Sequence, residues 1–216
     1  MQLNRIINAD CMEIMKDIPD KYFELAIVDP PYGIGMDKGF EGFGGIGKPI
    51  QRKQYTSKWD SETPNIDYFN ELFRVSKNQI IFGGNCFTAY LPVNKHWLVW
   101  DKKNTMPTFS DAELIYTSFK LKSVKIYEVE YNGLIGKENI KRFHPCQKPV
   151  KLLKRLLNDY AKAGDKIIDT HSGSGTTAVA CIDMGFQYLC IEKDKDYYEA
   201  SVKRIDKELL KINMFA

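Results

Sequence analysis

The chain has 216 residues, of which 44% are hydrophobic, and its formal net charge is +3. This length suits one compact domain with a buried core, and so small a net charge does not by itself indicate a nucleic-acid partner. Five scattered cysteines, with no CxxC pair and no histidine cluster at metal-ligand spacing, argue against a structural zinc. With no apolar run long enough to cross a bilayer and no signal-peptide pattern, we expect a cytoplasmic protein.

Short apolar runs, many of them β-branched, alternate with segments of helical periodicity, which is typical of an α/β domain with a mostly parallel sheet. We predict seven strands, at residues 5–7, 24–28, 79–82, 97–100, 113–117, 166–169 and 188–191. Helices are predicted at residues 150–163, 176–184 and 197–212. In the last of these, the apolar residues Tyr198, Val202, Ile205, Leu209 and Ile212 share one face.

The tetrapeptide Asp29-Pro30-Pro31-Tyr32 directly follows the apolar strand predicted at residues 24–28. Two prolines fix the backbone and remove two N–H donors, so the Asp29 carboxylate and the Pro30 carbonyl form a rigid pair of acceptors. Such acceptors suit the exocyclic amine of adenine or cytosine, because they can hold both amine hydrogens and aim the weak lone pair at an electrophile. Tyr32 would stack on the base. A proline-rich turn without chemistry is the alternative.

A glycine-rich turn follows the strand predicted at residues 166–169, and it runs Asp169-Thr170-His171-Ser172-Gly173-Ser174-Gly175-Thr176-Thr177. Glycines let a ligand approach the backbone, and the N-terminus of the next helix offers free N–H groups. Glu192 ends the following strand, where a carboxylate can accept ribose hydroxyls. This pattern predicts a nucleotide-like cofactor, and it fits a dinucleotide as well.

Two long segments, residues 33–59 and 118–143, do not fit the α/β alternation. The first is rich in glycine with interleaved basic and aromatic residues, and a connector of this length is typical of a functional loop. The second overlaps the most basic stretch of the chain, residues 119–155, which includes Lys141 and Arg142. We predict that both segments contact DNA, the alternative being an ordinary solvated face.

Together these motifs resemble those of the DNA amino-methyltransferases, in the permuted class whose Asp-Pro-Pro-Tyr motif precedes the cofactor glycine motif. Three further segments carry the resemblance: Asn8-Ala9-Asp10-Cys11, Phe82-Gly83-Gly84-Asn85 and His144-Pro145-Cys146-Gln147-Lys148-Pro149. The chain departs from the family at Thr170 and His171, where a proline and an aromatic residue are common. The resemblance covers most of the chain and implies a single domain, residues 1–216, with a Rossmann-like, seven-stranded, mostly parallel sheet.

The resemblance also implies S-adenosylmethionine as cofactor, DNA as substrate, and direct methyl transfer to adenine N6 without a metal. The implied catalytic residues are Asp29, Pro30, Pro31 and Tyr32. The implied cofactor-binding residues are Asp10, Cys11, Gln147, Lys148, Asp169, His171, Ser172, Gly173, Gly175, Thr176, Thr177 and Glu192. Because residues 118–143 are few for a target-recognition region, a homodimer or a partner specificity subunit is a further expectation. The family places the protein in a prokaryote or a phage, in a restriction-modification setting.

Four alternatives stay open: a cytosine-N4 enzyme, an RNA methyltransferase, a protein-amide methyltransferase, and a nucleotide-binding subunit without catalysis. Asp29 favours adenine, since cytosine-N4 relatives more often begin the tetrapeptide with serine. Pro145-Cys146-Gln147 mimics the nucleophile tripeptide of cytosine-C5 enzymes, but it precedes the glycine turn. We therefore predict that Cys146 is a packing residue rather than a nucleophile.

Overall fold

The computed structural model describes residues 1–34, 60, 63–103, 110–131 and 146–213, which form one mixed sheet with helices on both faces. The strands are β1 (Arg5–Asn8), β2 (Phe23–Val28), β3 (Ser76–Phe82), β4 (Trp97–Asp101), β5 (Ala112–Thr117), β6 (Lys125–Glu128), β7 (Lys166–Asp169) and β8 (Gln187–Glu192). The helices are α1 (Cys11–Met15), α2 (Ile66–Val75), α3 (Val150–Tyr160), α4 (Thr176–Met184) and α5 (Lys195–Asn213), with a short 3₁₀ turn at Gly84–Cys86.

The sheet has the strand order β1-β8-β7-β2-β3-β5-β4-β6, and every pairing is parallel except those that β5 makes with β3 and β4. All seven predicted strands are present, so the α/β class with a mostly parallel sheet is confirmed. The predicted number of strands is wrong, because β6 adds an eighth at the edge, inside the segment 118–143. Of its four residues only Tyr127 is buried, so no apolar run marks this strand in the sequence.

Alternate side chains of the central strands divide the core into two layers, as the two-residue period of a strand requires. Leu25 and Ile27 of β2 face the layer formed with α3, α4 and α5. Ala26 and Val28 face the opposite layer, which contains the buried side chains of α1 and α2. Helices thus cover both faces of the sheet, and its carboxyl-end edge stays accessible.

The buried stripe of the last helix only partly matches the predicted face, with which it shares Ile205. Of the side chains that the structure describes in this helix, Tyr197, Ser201 and Ile205 are buried, whereas Leu209 is 42% exposed. The reason is a close approach of α5 to the turn before α4, where a Cβ added at Gly175 would lie 3.1 Å from Ser201 Cβ. A small polar residue therefore occupies the buried stripe, which apolar periodicity cannot reveal.

Within the described residues, no helix is both long and apolar enough to span a membrane. The five cysteines all lie in these ranges and all are free thiols, with Cys11, Cys181 and Cys190 buried. The same ranges contain no group of three or more His, Cys, Asp or Glu side chains arranged to hold a metal ion.

Truncation of the α3 core residue Leu156, which is fully buried, is expected to be costly. Leu156→Ala should lower the free energy of unfolding by about 2–5 kcal/mol, because it removes packed methyl groups and leaves a cavity. Leu210→Ala is the matched control, since Leu210 is 65% exposed on another helix, and it should change stability by less than about 0.5 kcal/mol. Urea unfolding measures both, and equal losses would contradict this packing of α3.

Candidate active site

Four parallel strands, β1, β8, β7 and β2, lie side by side and end at the same edge of the sheet. Each is followed by, or ends on, an acidic residue: Asp10, Glu192, Asp169 and Asp29 respectively. A cavity of about 640 Å³ opens at this edge and is lined by all four. Its volume lies in the range of small-molecule sites, and the carboxyl ends of parallel strands are where α/β sheets bind ligands.

Most of the predicted site residues meet in this one cavity. Asp29, Pro30, Pro31 and Tyr32 all line it. So do Asp10, Cys11, Lys148, Asp169, His171, Ser172, Gly173, Thr176, Thr177 and Glu192. Gly175 and Gln147 are not among its lining residues. Gly175 has φ +72° and forms the N-cap of α4, while Gln147 is buried, with its carbonyl accepting the Tyr131 hydroxyl.

Glu192 fastens the glycine turn to the end of β8. Its Oε2 accepts the Gly173 N–H at 2.6 Å and its Oε1 accepts the Asp194 N–H at 2.8 Å. Burial raises the pKa of this carboxyl above its ordinary value, against the lowering by these backbone donors. Each carboxylate oxygen has a second lone-pair site, so Glu192 can shape the turn and still accept a ligand hydroxyl.

Asp169 lies at the base of the cavity, where Thr177 donates to Oδ2 at 2.6 Å and the His171 N–H donates to Oδ1 at 3.1 Å. Burial raises the pKa of Asp169 to about 7, with Asp29 and Glu192 adding to the shift by repulsion. Negative charge is therefore concentrated at the floor of the cavity, where the ionised form of Asp169 is unfavourable. A cationic ligand bound there would stabilise that ionised form.

Thr170 and His171, where the chain departs from the family pattern, form a polar chain with a residue of α2. The Tyr68 hydroxyl lies 2.7 Å from Thr170 Oγ1, which in turn lies 3.0 Å from His171 Nδ1. The rings of Tyr68 and His171 meet edge to face at 5.1 Å. Burial lowers the pKa of His171 to about 4, so the imidazole is neutral at pH 7. Sequence reasoning missed Tyr68, which no motif marks.

Asp10 caps α1 and also lines the cavity. Its Oδ1 accepts the Met12 N–H at 2.9 Å, and its Oδ2 pairs with Lys193 at 2.8 Å. The bond from Lys193 lowers the pKa of the Asp10 carboxyl despite partial burial. The adjacent Cys11 contributes an apolar surface, because burial raises the pKa of its thiol to about 12.

Asp29 is held on both oxygens. The Tyr32 hydroxyl donates to Oδ1 at 2.6 Å, and Lys148 Nζ donates to Oδ2 at 2.6 Å. Lys148, which the sequence indicated as a cofactor residue, thus places its ammonium on the tetrapeptide carboxylate. Burial raises the pKa of Asp29 above its ordinary value, and Lys148 works against this shift. Burial alone would lower the pKa of Lys148, but the attraction of Asp29 and Glu113 outweighs it, so the ammonium stays charged.

Glu113 of β5 is a second acidic neighbour of Lys148 that the sequence analysis missed. Its Oε2 lies 3.4 Å from Lys148 Nζ, and its Oε1 lies 2.7 Å from Lys102 Nζ. Burial acts to raise the pKa of Glu113, but Lys148 and Lys102 lower it below its ordinary value. Glu113 stands in a strand without any motif, so only the antiparallel pairing of β5 brings it to the site.

Gly83 explains why the Tyr32 ring can lie where it does. Gly83 has φ +63°, and a Cβ added there would lie 2.3 Å from the Tyr32 ring. Tyr32 also meets Phe87 edge to face, with ring centroids 6.0 Å apart. The glycine of the Phe82-Gly83-Gly84-Asn85 segment therefore provides the space in which Tyr32 packs and reaches Asp29.

Cys146 lines the cavity rather than only packing behind it. Burial raises the pKa of its thiol to about 12. A thiol in this environment is protonated at pH 7, and a protonated thiol is a poor nucleophile. This agrees with the prediction that Cys146 is not the nucleophile of a cytosine-C5 mechanism.

Of the predicted DNA-contacting segments, residues 35–59 and 132–143 lie outside the described residues. Lys141 and Arg142 are among these. Of the rest of the basic stretch, Lys125 pairs with Asp159 at 2.6 Å, and Lys154 pairs with Asp183. Arg155 donates to the Glu128 carbonyl at 2.8 Å. These three cations make contacts within the protein, and DNA contact by this stretch stays a prediction.

Comparison with known proteins agrees with this geometry. A family model described as DNA methylase, of the N6/N4 type, matches residues 90–203, which is more than half of the chain. The Type II methyltransferase M.HinfI of Haemophilus influenzae is 25% identical, over 94% of this chain and 68% of that protein.

Two solved structures share the fold. The crystal structure of the M1.HpyAVI complex with S-adenosylmethionine has a TM-score of 0.60 at 22% identity, covering 93% of this chain and 98% of that one. The cytosine-N4-specific PvuII DNA methyltransferase has a TM-score of 0.61 at 13% identity, covering 96% and 91%.

The fold of the sheet is the one found in these DNA methyltransferase structures. The chain belongs to the N6/N4 DNA methylase family. It is therefore a DNA methyltransferase of the class that modifies either adenine N6 or cytosine N4. The expectation of S-adenosylmethionine as cofactor is confirmed for this class.

Gly83→Ala is expected to displace Tyr32, since the added Cβ would collide with its ring. Gly164→Ala is the matched control, because Gly164 also has a positive φ, +89°, yet a Cβ there meets nothing within 4 Å. Each change strains the backbone by about 1–3 kcal/mol. The Gly83 variant should lose clearly more free energy of unfolding than the control in urea titrations, and equal losses would contradict the packing of Tyr32.

Proposed function

We propose that this chain methylates the N6 amine of adenine at a specific site in DNA, with S-adenosylmethionine as methyl donor. The observation that carries the proposal is the placement of Asp29-Pro30-Pro31-Tyr32 and the glycine turn on one cavity of about 640 Å³. A carboxylate that can hold an amine thus faces the turn that can hold a nucleotide-like cofactor.

The lining residues fit S-adenosylmethionine in size, polarity and charge. Asp10 and Glu192 offer acceptors for adenosine groups, and the turn from Ser172 to Gly173 allows close approach to the backbone. Ser172 lines the cavity, and its buried hydroxyl bonds the Cys190 thiol, a weak hydrogen-bond acceptor, so it can also bind a ligand. When bound, this cofactor supplies a methyl group on a cationic sulfonium, a charge that the acidic floor at Asp169 favours.

The tetrapeptide orients the amine. The Asp29 carboxylate and the Pro30 carbonyl accept its two hydrogens, so its lone pair points towards the cofactor side of the cavity. Tyr32 is held in place by Asp29 and Phe87, so its ring can stack on the base once the base has left the DNA duplex. Leaving the stack costs a few kcal/mol, which stacking and the amine hydrogen bonds offset. A carboxylate that accepts an amine hydrogen is also placed to take the proton that the nitrogen loses after transfer.

Adenine is preferred to cytosine because the tetrapeptide begins with Asp29 rather than with serine. The family includes both amine types, and the fold is shared with a cytosine-N4 enzyme. Target recognition would fall to residues 33–59 and 118–143, together with a second copy of the chain or a specificity subunit. The chain is assigned to the permuted class in this proposal because Asp29-Pro30-Pro31-Tyr32 precedes the glycine turn in the sequence.

Asp29→Asn should abolish methyl transfer yet leave the affinity for S-adenosylmethionine within about tenfold, because Asp29 acts on the amine and not on the donor. Asp159→Asn is the matched control. Asp159 likewise accepts from a lysine, Lys125, and a tyrosine, Tyr127, but it lies outside the cavity, so its variant should keep full activity. Tritium transfer and calorimetry measure the two properties, and loss of cofactor binding along with activity would contradict the assigned role of Asp29.

Mass spectrometry of nucleosides from DNA treated with the enzyme and S-adenosylmethionine should reveal N6-methyladenine. The expected product follows from the proposed preference of the Asp29 tetrapeptide for adenine. DNA incubated with the Asp29→Asn variant serves as the background control. N4-methylcytosine alone would overturn the base assignment and leave the proposed cofactor site intact.

A further inference from the structure

Lys148 lies between the carboxylate of Asp29, directly after β2, and that of Glu113, on β5. Its ammonium is 2.6 Å from Asp29 Oδ2 and 3.4 Å from Glu113 Oε2, and its side chain is only 9% exposed. The opposite oxygen of Glu113 is anchored by Lys102 at 2.7 Å. Asp29 and Glu113 thus share one buried lysine. Glu113, the more distant of the two, is also fixed in place by Lys102.

This arrangement matters because Lys148 opposes the role proposed for Asp29. A lysine held on Oδ2 competes with the substrate amine for the carboxylate. It also repels the positive charge that develops on the amine nitrogen during transfer, most strongly in a site that excludes water. An Asp29–Lys148 pair left to itself would be a neutral unit, and so a weaker stabiliser of that charge.

Glu113 can accept a hydrogen bond from the Lys148 ammonium in place of Asp29. The 3.4 Å separation is longer than the 2.7–2.9 Å of a charge-assisted hydrogen bond. Glu113 Oε2 is buried, and no hydrogen-bond partner at closer range exists for it among the described residues. The flexible stem of Lys148 lets its ammonium shift, whereas Lys102 holds Glu113 still.

A second Asp–Lys–Tyr cluster, formed by Asp159, Lys125 and Tyr127, offers a comparison. There Asp159 also accepts from one lysine and one tyrosine, Lys125 and Tyr127. In the described ranges Lys125 pairs with no second carboxylate. The extra carboxylate therefore distinguishes the pair in the cavity from an Asp–Lys–Tyr cluster elsewhere in the same protein.

We propose, resting on the function proposed above, that Glu113 is a positioning residue for methyl transfer, which receives the Lys148 ammonium when the substrate amine binds Asp29. Glu113 acts through Lys148 and touches neither substrate nor cofactor. No covalent step is involved, since the ammonium keeps its proton and only changes partner.

A double-mutant cycle tests this role, with tritium transfer to duplex DNA as the activity assay. Glu113→Gln should lower kcat about tenfold, less than the loss of a direct contact with a developing charge. It should leave the KM for S-adenosylmethionine within about twofold, because Glu113 does not contact the cofactor. In a Lys148→Met background the same change should alter kcat less than about twofold, because the ion to be received is gone.

Two further variants make the cycle decisive. Glu208→Gln removes the carboxylate of an ion pair with Lys211 on α5, away from the cavity, and should keep full activity. Glu113→Asp retains the charge on a shorter side chain, so it replaces Glu113→Gln if that variant fails to fold. It should show a smaller loss of kcat with the same dependence on Lys148.

An unimpaired Glu113→Gln variant, or an equal loss of kcat with and without Lys148, would overturn the role of Glu113 while leaving the proposed function in place. A wild-type chain that methylates no DNA would refute the proposed function itself, and the role of Glu113 with it.

Discussion

Parallel pairing of β1, β8, β7 and β2 is the constraint on which the site depends. Because parallel strands end at one edge, Asp10, Glu192, Asp169 and Asp29 meet there, although they are far apart along the chain. The strand register places Asn8 opposite Glu192 and Asp169 opposite Cys190. A slip of one residue in any of these strands would turn its acidic group to the other face of the sheet.

Four carboxyl groups at one edge of the sheet repel one another, and neighbouring hydrogen-bond donors offset part of this repulsion. Burial raises the pKa of Asp169, Glu192 and Asp29. Backbone N–H groups hold Glu192, Thr177 holds Asp169, and Lys148 holds Asp29. The remaining negative character suits a cationic methyl donor.

The sequence predicts the fold and the walls of the cavity well, because strands with buried runs and motifs at their carboxyl ends leave clear patterns. It fails where position depends on pairing between distant segments. Glu113 reaches Lys148 only through the antiparallel β5, and Tyr68 reaches Thr170 only because α2 lies on the same face of the sheet as the layer that contains Ile168. Strand β6 was missed because only one of its residues is buried. The role of Gly83 depends on the Tyr32 ring, so it becomes visible only in three dimensions.

The central claim is that the amine-binding tetrapeptide and the cofactor turn act together on DNA. Transfer of tritium from labelled S-adenosylmethionine, offered DNA, RNA and protein in parallel, tests it most directly. The account predicts label in DNA and none above background in RNA or protein. Label confined to RNA or protein would contradict the DNA substrate, and cofactor binding without label in any acceptor would contradict catalysis.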